Sequence, residues 1–178
     1  MMDDDRPIKV LLLEDQPGHA LLFRTMLNAE LTPPFEVEHV TRLSAALDHL
    51  RKNRVDVALL DLSLPDSRGL ETFYAARDEA PHVPLVVLSG SGSEEAAIQA
   101  VQAGAQDYLM KGEINDRILA RSIRYAIERA RAERRLRRQK ELLESTLESL
   151  TYPFYVVDAE DYTVEIANSA AVASLGDQ

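Results

Sequence analysis

Polar residues that could bind a cation and a phosphoryl group follow four apolar runs of the chain. Glu14 and Asp15 follow the first run, Asp61 the second, Ser89 the third and Lys111 the fourth. If the runs are parallel strands of one sheet, these side chains gather at its C-terminal edge, where open α/β sheets build their sites. Three carboxylates, a hydroxyl and an ammonium suit a divalent cation and a transferable phosphoryl group.

The three carboxylates predict a magnesium site. Unpaired like charges about 4 Å apart repel by about 4 kcal/mol at an effective dielectric near 20, and a bound cation removes that repulsion. Mg²⁺ favours one or two carboxylates together with water and phosphate oxygens. The chain has no cysteine, which argues against zinc. We predict that all four histidines are surface or packing residues: His19, His39, His49 and His82.

Asp61 is the candidate nucleophile. It ends an apolar run and precedes a polar turn that contains Pro65. A carboxylate in that position can attack phosphorus and form an aspartyl phosphate. Mg²⁺ held by Asp15 and Asp61 would neutralise phosphoryl oxygens while Lys111 contacts another, which is catalysis by positioned charge. Ser89 would donate its hydroxyl to the bound phosphoryl group.

Four segments together resemble the receiver domain of two-component response regulators. They are LLLEDQP, DVALLDLSLPD, VVLSG and GAQDYLMKG, within residues 7–124. The resemblance implies that Asp61 is the phosphoacceptor, that Asp15 binds the metal directly and that Glu14 acts on it mainly through water. It further implies a metal ligand in the Ser63 carbonyl, a switch pair in Ser89 and Tyr108, and a phosphate contact in Lys111.

Apolar runs alternate with helical patterns over the same residues. This alternation predicts an α/β fold with a parallel, doubly wound sheet. We predict five strands in the order 2-1-3-4-5, which is the flavodoxin-like receiver arrangement. Helix 1 is expected from Pro17 to about Glu30, with Leu22, Met26 and Ala29 on its inner face. The third strand is expected over 55–60.

The last helix is predicted to continue far beyond the receiver, over residues 115–150. No glycine or proline interrupts the chain from 115 to 149, and leucines recur every seven residues at 136, 143 and 150, with Leu147 between. This spacing is typical of a coiled-coil seam, so we expect a parallel homodimer. Residues 117–140 contain ten basic residues. We interpret them as a solvated helix face, because no helix-turn-helix pattern or interleaved aromatic residues indicate nucleic-acid binding.

Residues 151–178 resemble the opening of a PAS sensor domain. An apolar run, a turn at Asp158, a second run and a segment from Ala167 to Ala171 follow that pattern. A strand pair of this size cannot bury a core of its own. We therefore expect the segment to be the truncated start of a domain from a longer protein.

The sequence predicts a signalling module rather than an enzyme. It would accept a phosphoryl group on Asp61 from a histidine kinase or phosphotransfer protein and pass a conformational signal along the helix. A magnesium-dependent phosphohydrolase is one alternative, but its general acid would stand where Ser63 is. A phosphorylation-independent interaction module is another. No apolar run is long enough to span a membrane, and we expect a cytoplasmic protein.

Overall fold

The computed structural model describes residues 6–28, 33–90 and 94–175 of the 178-residue chain, without the side chains of 94–96 and 175. Strands and helices alternate through β5, and the chain then continues as a long helix, a strand pair and a short helix. The elements are β1 Ile8–Leu13, α1 Pro17–Leu27, β2 Phe35–Val40, α2 Leu43–Lys52, β3 Val57–Asp61, α3 Leu70–Glu79, β4 Leu85–Ser89, α4 Glu94–Gln102, β5 Asp107–Met110, α5 Asp116–Glu148, β6 Tyr155–Val157, β7 Val164–Ala167 and α6 Ser169–Leu175.

The first five strands form one parallel sheet in the order β2-β1-β3-β4-β5, which confirms the predicted fold class. Leu13 pairs with Leu60, and Asp61 pairs with Leu88. Ser89 pairs with Met110, the residue before Lys111. The carboxyl ends of these strands are therefore level, and the polar residues that end them meet at one edge.

Both faces of the sheet are covered. Leu12 and Leu59 belong to a buried cluster with residues of α1 and α5, while Leu13 and Leu60 belong to another with residues of α2 and α3. Every residue of β3 is buried, as expected for a central parallel strand with helices on both sides. The alternation of strand side chains thus fills two cores and fixes the register of the sheet.

Two details of the expected elements are wrong. β3 begins at Val57 and includes Asp61, so the candidate nucleophile is the last residue of the strand. On α1 the buried residues are Ala20, Phe23 and Leu27; of the predicted inner-face residues Leu22 is exposed, whereas Met26 is half-buried and packs against the same core. The helix presents Phe23 to the core because a large aromatic ring buries the most apolar area. The expected end of α1 near Glu30, and Ala29 with it, lies outside the described residues.

Helix α5 is 33 residues long and ends at Glu148. Its buried residues run from Leu119 to Ala130, which completes the receiver core. A first compact unit accordingly ends at Arg131, and a second begins at Ala132. Leu136 and Leu143, two leucines of the predicted seam, are exposed. Leu150 lies beyond the helical end, so the regular helix contains one seam position fewer than the spacing predicted.

The second unit contains the end of α5, an antiparallel β6–β7 pair and α6. Asn168 is buried, and its side chain bonds to several segments of this unit. Its Nδ2 donates to the carbonyls of residues 147, 150 and 152, and its Oδ1 accepts from the amides of residues 154 and 171. Ser169 also donates to Glu148 through its amide and hydroxyl. One side chain therefore joins the helix end to the strand pair and α6.

Among the described helices, none combines the length and the apolar character that crossing a membrane requires.

Candidate functional site

Glu14, Asp15 and Asp61, which we call the acid cluster, meet at the carboxyl edge of the sheet. Each contributes one oxygen to a group whose members all lie within 4.8 Å of one another. Glu14 and Asp61 are almost fully buried, and Asp15 is half-buried. The separation and the donor type are those of a divalent cation site. The predicted convergence of these three residues is present in the structure.

The Lys111 ammonium places a positive charge against the acid cluster. Its Nζ lies 2.6 Å from Glu14 Oε2 and donates to Asp61 Oδ2 at 2.8 Å. Its own side chain is only 6% exposed. Removing one member of a buried ion pair typically costs 3–5 kcal/mol, because the partner is left as an unpaired charge. Lys111 is thus bound to the cluster at the point where β5 ends.

Two oxygens of the cluster fit the requirements of a metal ligand. Asp15 Oδ1 and Glu14 Oε2 are buried and accept no aligned hydrogen bond from the described residues. Glu14 Oε2 has an ion-pair contact with Lys111, whereas Asp15 Oδ1 has no such contact with a residue that the structure describes. Buried oxygens without donors are costly unless a cation or water binds them. The geometry therefore suits an oxygen-liganded ion such as Mg²⁺.

Hydrogen bonds fix the backbone of the loop after β3, which contains Ser63. The Ser63 amide donates to Asp61 Oδ1 at 3.1 Å. The Gly69 amide donates to the Leu62 carbonyl at 2.7 Å, and Gly69 itself has φ 62°, which favours glycine. These contacts close the loop into a turn and fix the backbone that follows the candidate nucleophile.

Asp66 anchors the same loop to α2. The residue before α2, Arg42, gives no side-chain cap, and the Asp66 carboxylate instead accepts from the amides of Leu43 and Ser44 at 2.9 and 3.1 Å. Burial alone would raise the pKa of Asp66, but these bonds and one from the Ser44 hydroxyl outweigh it and lower the pKa. The negative charge also faces the positive end of the helix dipole.

The predicted switch residues lie on adjacent strands beside this edge. Ser89 ends β4 and is half-buried, and Tyr108 lies in β5. The Tyr108 ring packs against the cluster that contains Leu13 and Leu60. Its hydroxyl is buried and, among the described residues, has no hydrogen-bond partner.

The expectation that all histidines are surface or packing residues is wrong for His19, which contacts the site. His19 Nδ1 lies 3.4 Å from Glu14 Oε1 and 3.5 Å from Lys111 Nζ. His39 Nε2 lies 2.8 Å from the Glu14 carbonyl oxygen. His19 stands one helical turn before the buried Phe23, so the correct inner face of α1 would have placed it at the site.

A family model described as the response regulator receiver domain matches residues 10–123. This is more than half of the chain, and the chain belongs to that family. The regulatory protein LuxO of Vibrio cholerae is 35% identical over 101 residues, which are 56% of this chain and 21% of LuxO. The KDP operon transcriptional regulatory protein KdpE of Escherichia coli is 35% identical over 113 residues, or 61% of this chain and 48% of KdpE.

Two solved structures extend the comparison. A response regulator receiver domain protein from Methanospirillum hungatei is 25% identical with a TM-score of 0.63, and the match covers 72% of this chain and 99% of that one. The phosphorylated cyanobacterial phytochrome response regulator RcpA is 26% identical with a TM-score of 0.55, covering 69% and 91% respectively. The chain spans about a fifth of the length of LuxO and about half of the length of KdpE.

The Asp66 anchor gives a pH-dependent prediction. Asp66→Ala should lower the free energy of unfolding by about 1 kcal/mol at pH 7, because it removes the cap of α2. Since the folded-state pKa is lowered, this stabilisation is present above the unfolded-state pKa of about 3.9 and fades as the pH falls through the folded value. The difference in urea unfolding between wild type and variant should therefore shrink as the pH falls below about 3.9.

Asp78→Ala is the matched control, because Asp78 is exposed and paired with its neighbour Arg77. A difference between Asp66→Ala and wild type that stays constant from pH 7 to pH 3 would contradict the capping role.

Proposed function

We propose that this receiver accepts a phosphoryl group on Asp61 from a histidine kinase or phosphotransfer protein and passes the change to a helical output. The observation that carries the proposal is the Asp61 carboxylate, which is 1% exposed, bonded to Lys111 and grouped with Glu14 and Asp15. A structural aspartate would not need two further carboxylates around it. The likeness to a phosphorylated response regulator supports the same role.

In the proposed reaction an Asp61 carboxylate oxygen attacks the phosphorus of the donor. A new P–O bond forms while the P–N bond of the donor phosphohistidine breaks, and the imidazole leaves with the electron pair. Lys111 stands beside Asp61 Oδ2 and can donate to a phosphoryl oxygen, and the Ser89 hydroxyl can donate to another. The Ser63 amide holds Asp61 Oδ1 in place during the attack.

Mg²⁺ would bind to Glu14, Asp15, Asp61 and the Ser63 carbonyl, and it would neutralise charge that develops on the phosphoryl oxygens. Of these, Asp15 would be the direct side-chain ligand besides Asp61, and Glu14 would act mainly through water. The buried Asp15 oxygen, which accepts no hydrogen bond from any described residue, supports this assignment.

The signal would pass through Ser89 and Tyr108. A phosphoryl group adds about −1.5 to −2 charge and draws the Ser89 hydroxyl toward it. The Tyr108 hydroxyl is buried and has no hydrogen-bond partner among the residues that the structure describes, a state that costs roughly 1–3 kcal/mol. A rearrangement that gives this hydroxyl a partner would regain that energy, and it would reshape the face formed by α4, β5 and the start of α5.

We infer a domain plan of a receiver over 7–124, a signalling helix over 115–150 and the start of a PAS domain over 151–178, in a cytoplasmic protein. The exposed leucines of α5 support a parallel homodimer through the helix. The strand pair and α6 expose Tyr155, Val164 and Val172, and further domain structure packed on them would cover that apolar area. In this proposal residues 6–175 act as a signalling module rather than as an enzyme.

Phosphorylation of the full chain by acetyl phosphate should require both Mg²⁺ and Asp61. Without the cation the acid cluster repels the anionic donor. Intact-mass measurement should show one added phosphoryl group in wild type with Mg²⁺, and none in Asp61→Asn or in excess chelator. Asp48→Asn, an exposed carboxylate change on α2, is the control and should be phosphorylated normally. An added phosphoryl group in Asp61→Asn would overturn the site assignment.

Lys111→Ala should separate the metal site from the phosphoryl contact. The ammonium competes with a cation for Glu14 and Asp61, so Mg²⁺ affinity should stay equal or rise. Binding of beryllofluoride, a phosphoryl mimic, should fall, because a charge-assisted bond of roughly 1.5–3 kcal/mol is lost, which is about 10- to 150-fold. Calorimetric titration measures both affinities. Weaker Mg²⁺ binding with normal beryllofluoride binding would show that Lys111 is not the phosphate contact.

Leu143→Lys should make the full chain monomeric at concentrations where wild type is dimeric. Each leucine buried in a seam contributes about 1.5–3 kcal/mol, so losing one from both copies weakens dimerisation by about a hundredfold or more. Leu142→Lys is the matched control, because Leu142 is also exposed but lies off the sevenfold spacing. Light scattering that finds a wild-type monomer, or equal dissociation in both variants, would refute the coiled coil.

A further inference from the structure

His19 contributes a contact to Lys111 that the proposed phosphoryl chemistry does not otherwise use. It is the third residue of α1, and its side chain is 36% exposed at the edge of the acid cluster. The His19 ring lies 6.4 Å from the Phe23 ring, centroid to centroid. Because Phe23 is fully buried, the helix and this ring contact limit where the imidazole can move.

The Lys111 ammonium has three N–H donors, and the structure surrounds it with three acceptors. Glu14 Oε2 lies at 2.6 Å, Asp61 Oδ2 at 2.8 Å and His19 Nδ1 at 3.5 Å. Glu14 and Asp61 both belong to the proposed metal and phosphoryl chemistry, so both change partners during the reaction. His19 is the neighbour in this trio that takes no part in either step.

His19 Nδ1 also lies 3.4 Å from Glu14 Oε1, which accepts from the Gln16 amide at 3.2 Å. The tautomer with its proton on Nε2 leaves Nδ1 as an acceptor for Lys111, and this is the tautomer that the inference requires. An imidazole acceptor, unlike a carboxylate, adds no negative charge beside the phosphoryl position.

We propose that His19 is a positioning residue, which keeps the Lys111 ammonium beside the phosphoryl position when Glu14 and Asp61 are engaged. The proposal rests on the proposed function, because it assigns Lys111 the phosphoryl contact. Without His19, the flexible Lys111 side chain would lose one contact. Binding of the phosphoryl group would then have to restrict more of the conformational freedom of Lys111.

The test compares His19→Ala, His19→Asn and His19→Gln in the full chain. Asparagine places its amide oxygen or nitrogen near the position of Nδ1, whereas the glutamine amide reaches toward the position of Nε2. At saturating Mg²⁺, His19→Ala should weaken beryllofluoride binding about fivefold, the ratio that one net hydrogen bond of about 1 kcal/mol gives. His19→Asn should restore most of the affinity, and His19→Gln should not.

Two further readouts distinguish positioning from general damage. Mg²⁺ affinity should stay within about twofold of wild type in all three variants, since His19 acts through Lys111. In a Lys111→Ala background, His19→Ala should have no further effect on beryllofluoride binding. His82→Ala, a change of an exposed histidine, should match wild type throughout.

Wild-type affinity in His19→Ala, or an undiminished effect in the Lys111→Ala background, would overturn the positioning role. If His19→Ala does not fold, equal affinities of the asparagine and glutamine variants would do so. A wild-type chain that takes up phosphoryl on Asp61 while the His19 variants behave normally rejects only this inference. A wild-type chain that neither binds beryllofluoride nor becomes phosphorylated rejects the proposed function, and the inference with it.

Discussion

The Lys111 ammonium lies 2.6 Å from a Glu14 oxygen and 2.8 Å from an Asp61 oxygen, and all three side chains are withdrawn from solvent. Two carboxylates so close together would repel by about 4 kcal/mol at an effective dielectric near 20 if no cation were present. The ammonium offsets this repulsion while leaving a net negative charge, since Asp15 adds a third carboxylate. The arrangement therefore leaves excess negative charge at the site, which a divalent cation would offset.

The sheet makes this arrangement possible because three of its strands end at one level. Glu14 and Asp15 follow β1, Asp61 ends β3, and Lys111 follows β5. Parallel pairing, in which Asp61 lies opposite Leu88 and Ser89 opposite Met110, aligns these ends through the backbone of the sheet. The apolar alternation that fills the two cores thus also fixes the distances at the site, and the electrostatic interactions depend on that packing.

The convergence of Glu14, Asp15, Asp61 and Lys111 was predictable, because each directly ends an apolar run and parallel strands share one edge. The inner face of α1 was not, since the helix carries two apolar stripes and only packing selects the one with Phe23. For the same reason the sequence analysis did not place His19 at the site. The Asp66 cap could not be anticipated, because it joins residues 22 and 23 positions apart through the folded loop. Nor does the sequence show that the Tyr108 hydroxyl is buried and, within the described part of the chain, has no hydrogen-bond partner.

Chemical location of the phosphoryl group tests the central claim most directly. Borohydride reduces an aspartyl phosphate to homoserine, so peptide mass mapping after phosphorylation and reduction reads the modified position without relying on a variant. The account predicts homoserine at position 61 alone, and only when Mg²⁺ was present during phosphorylation. Homoserine at another aspartate, or a phosphoryl group that leaves position 61 unreduced, would contradict it.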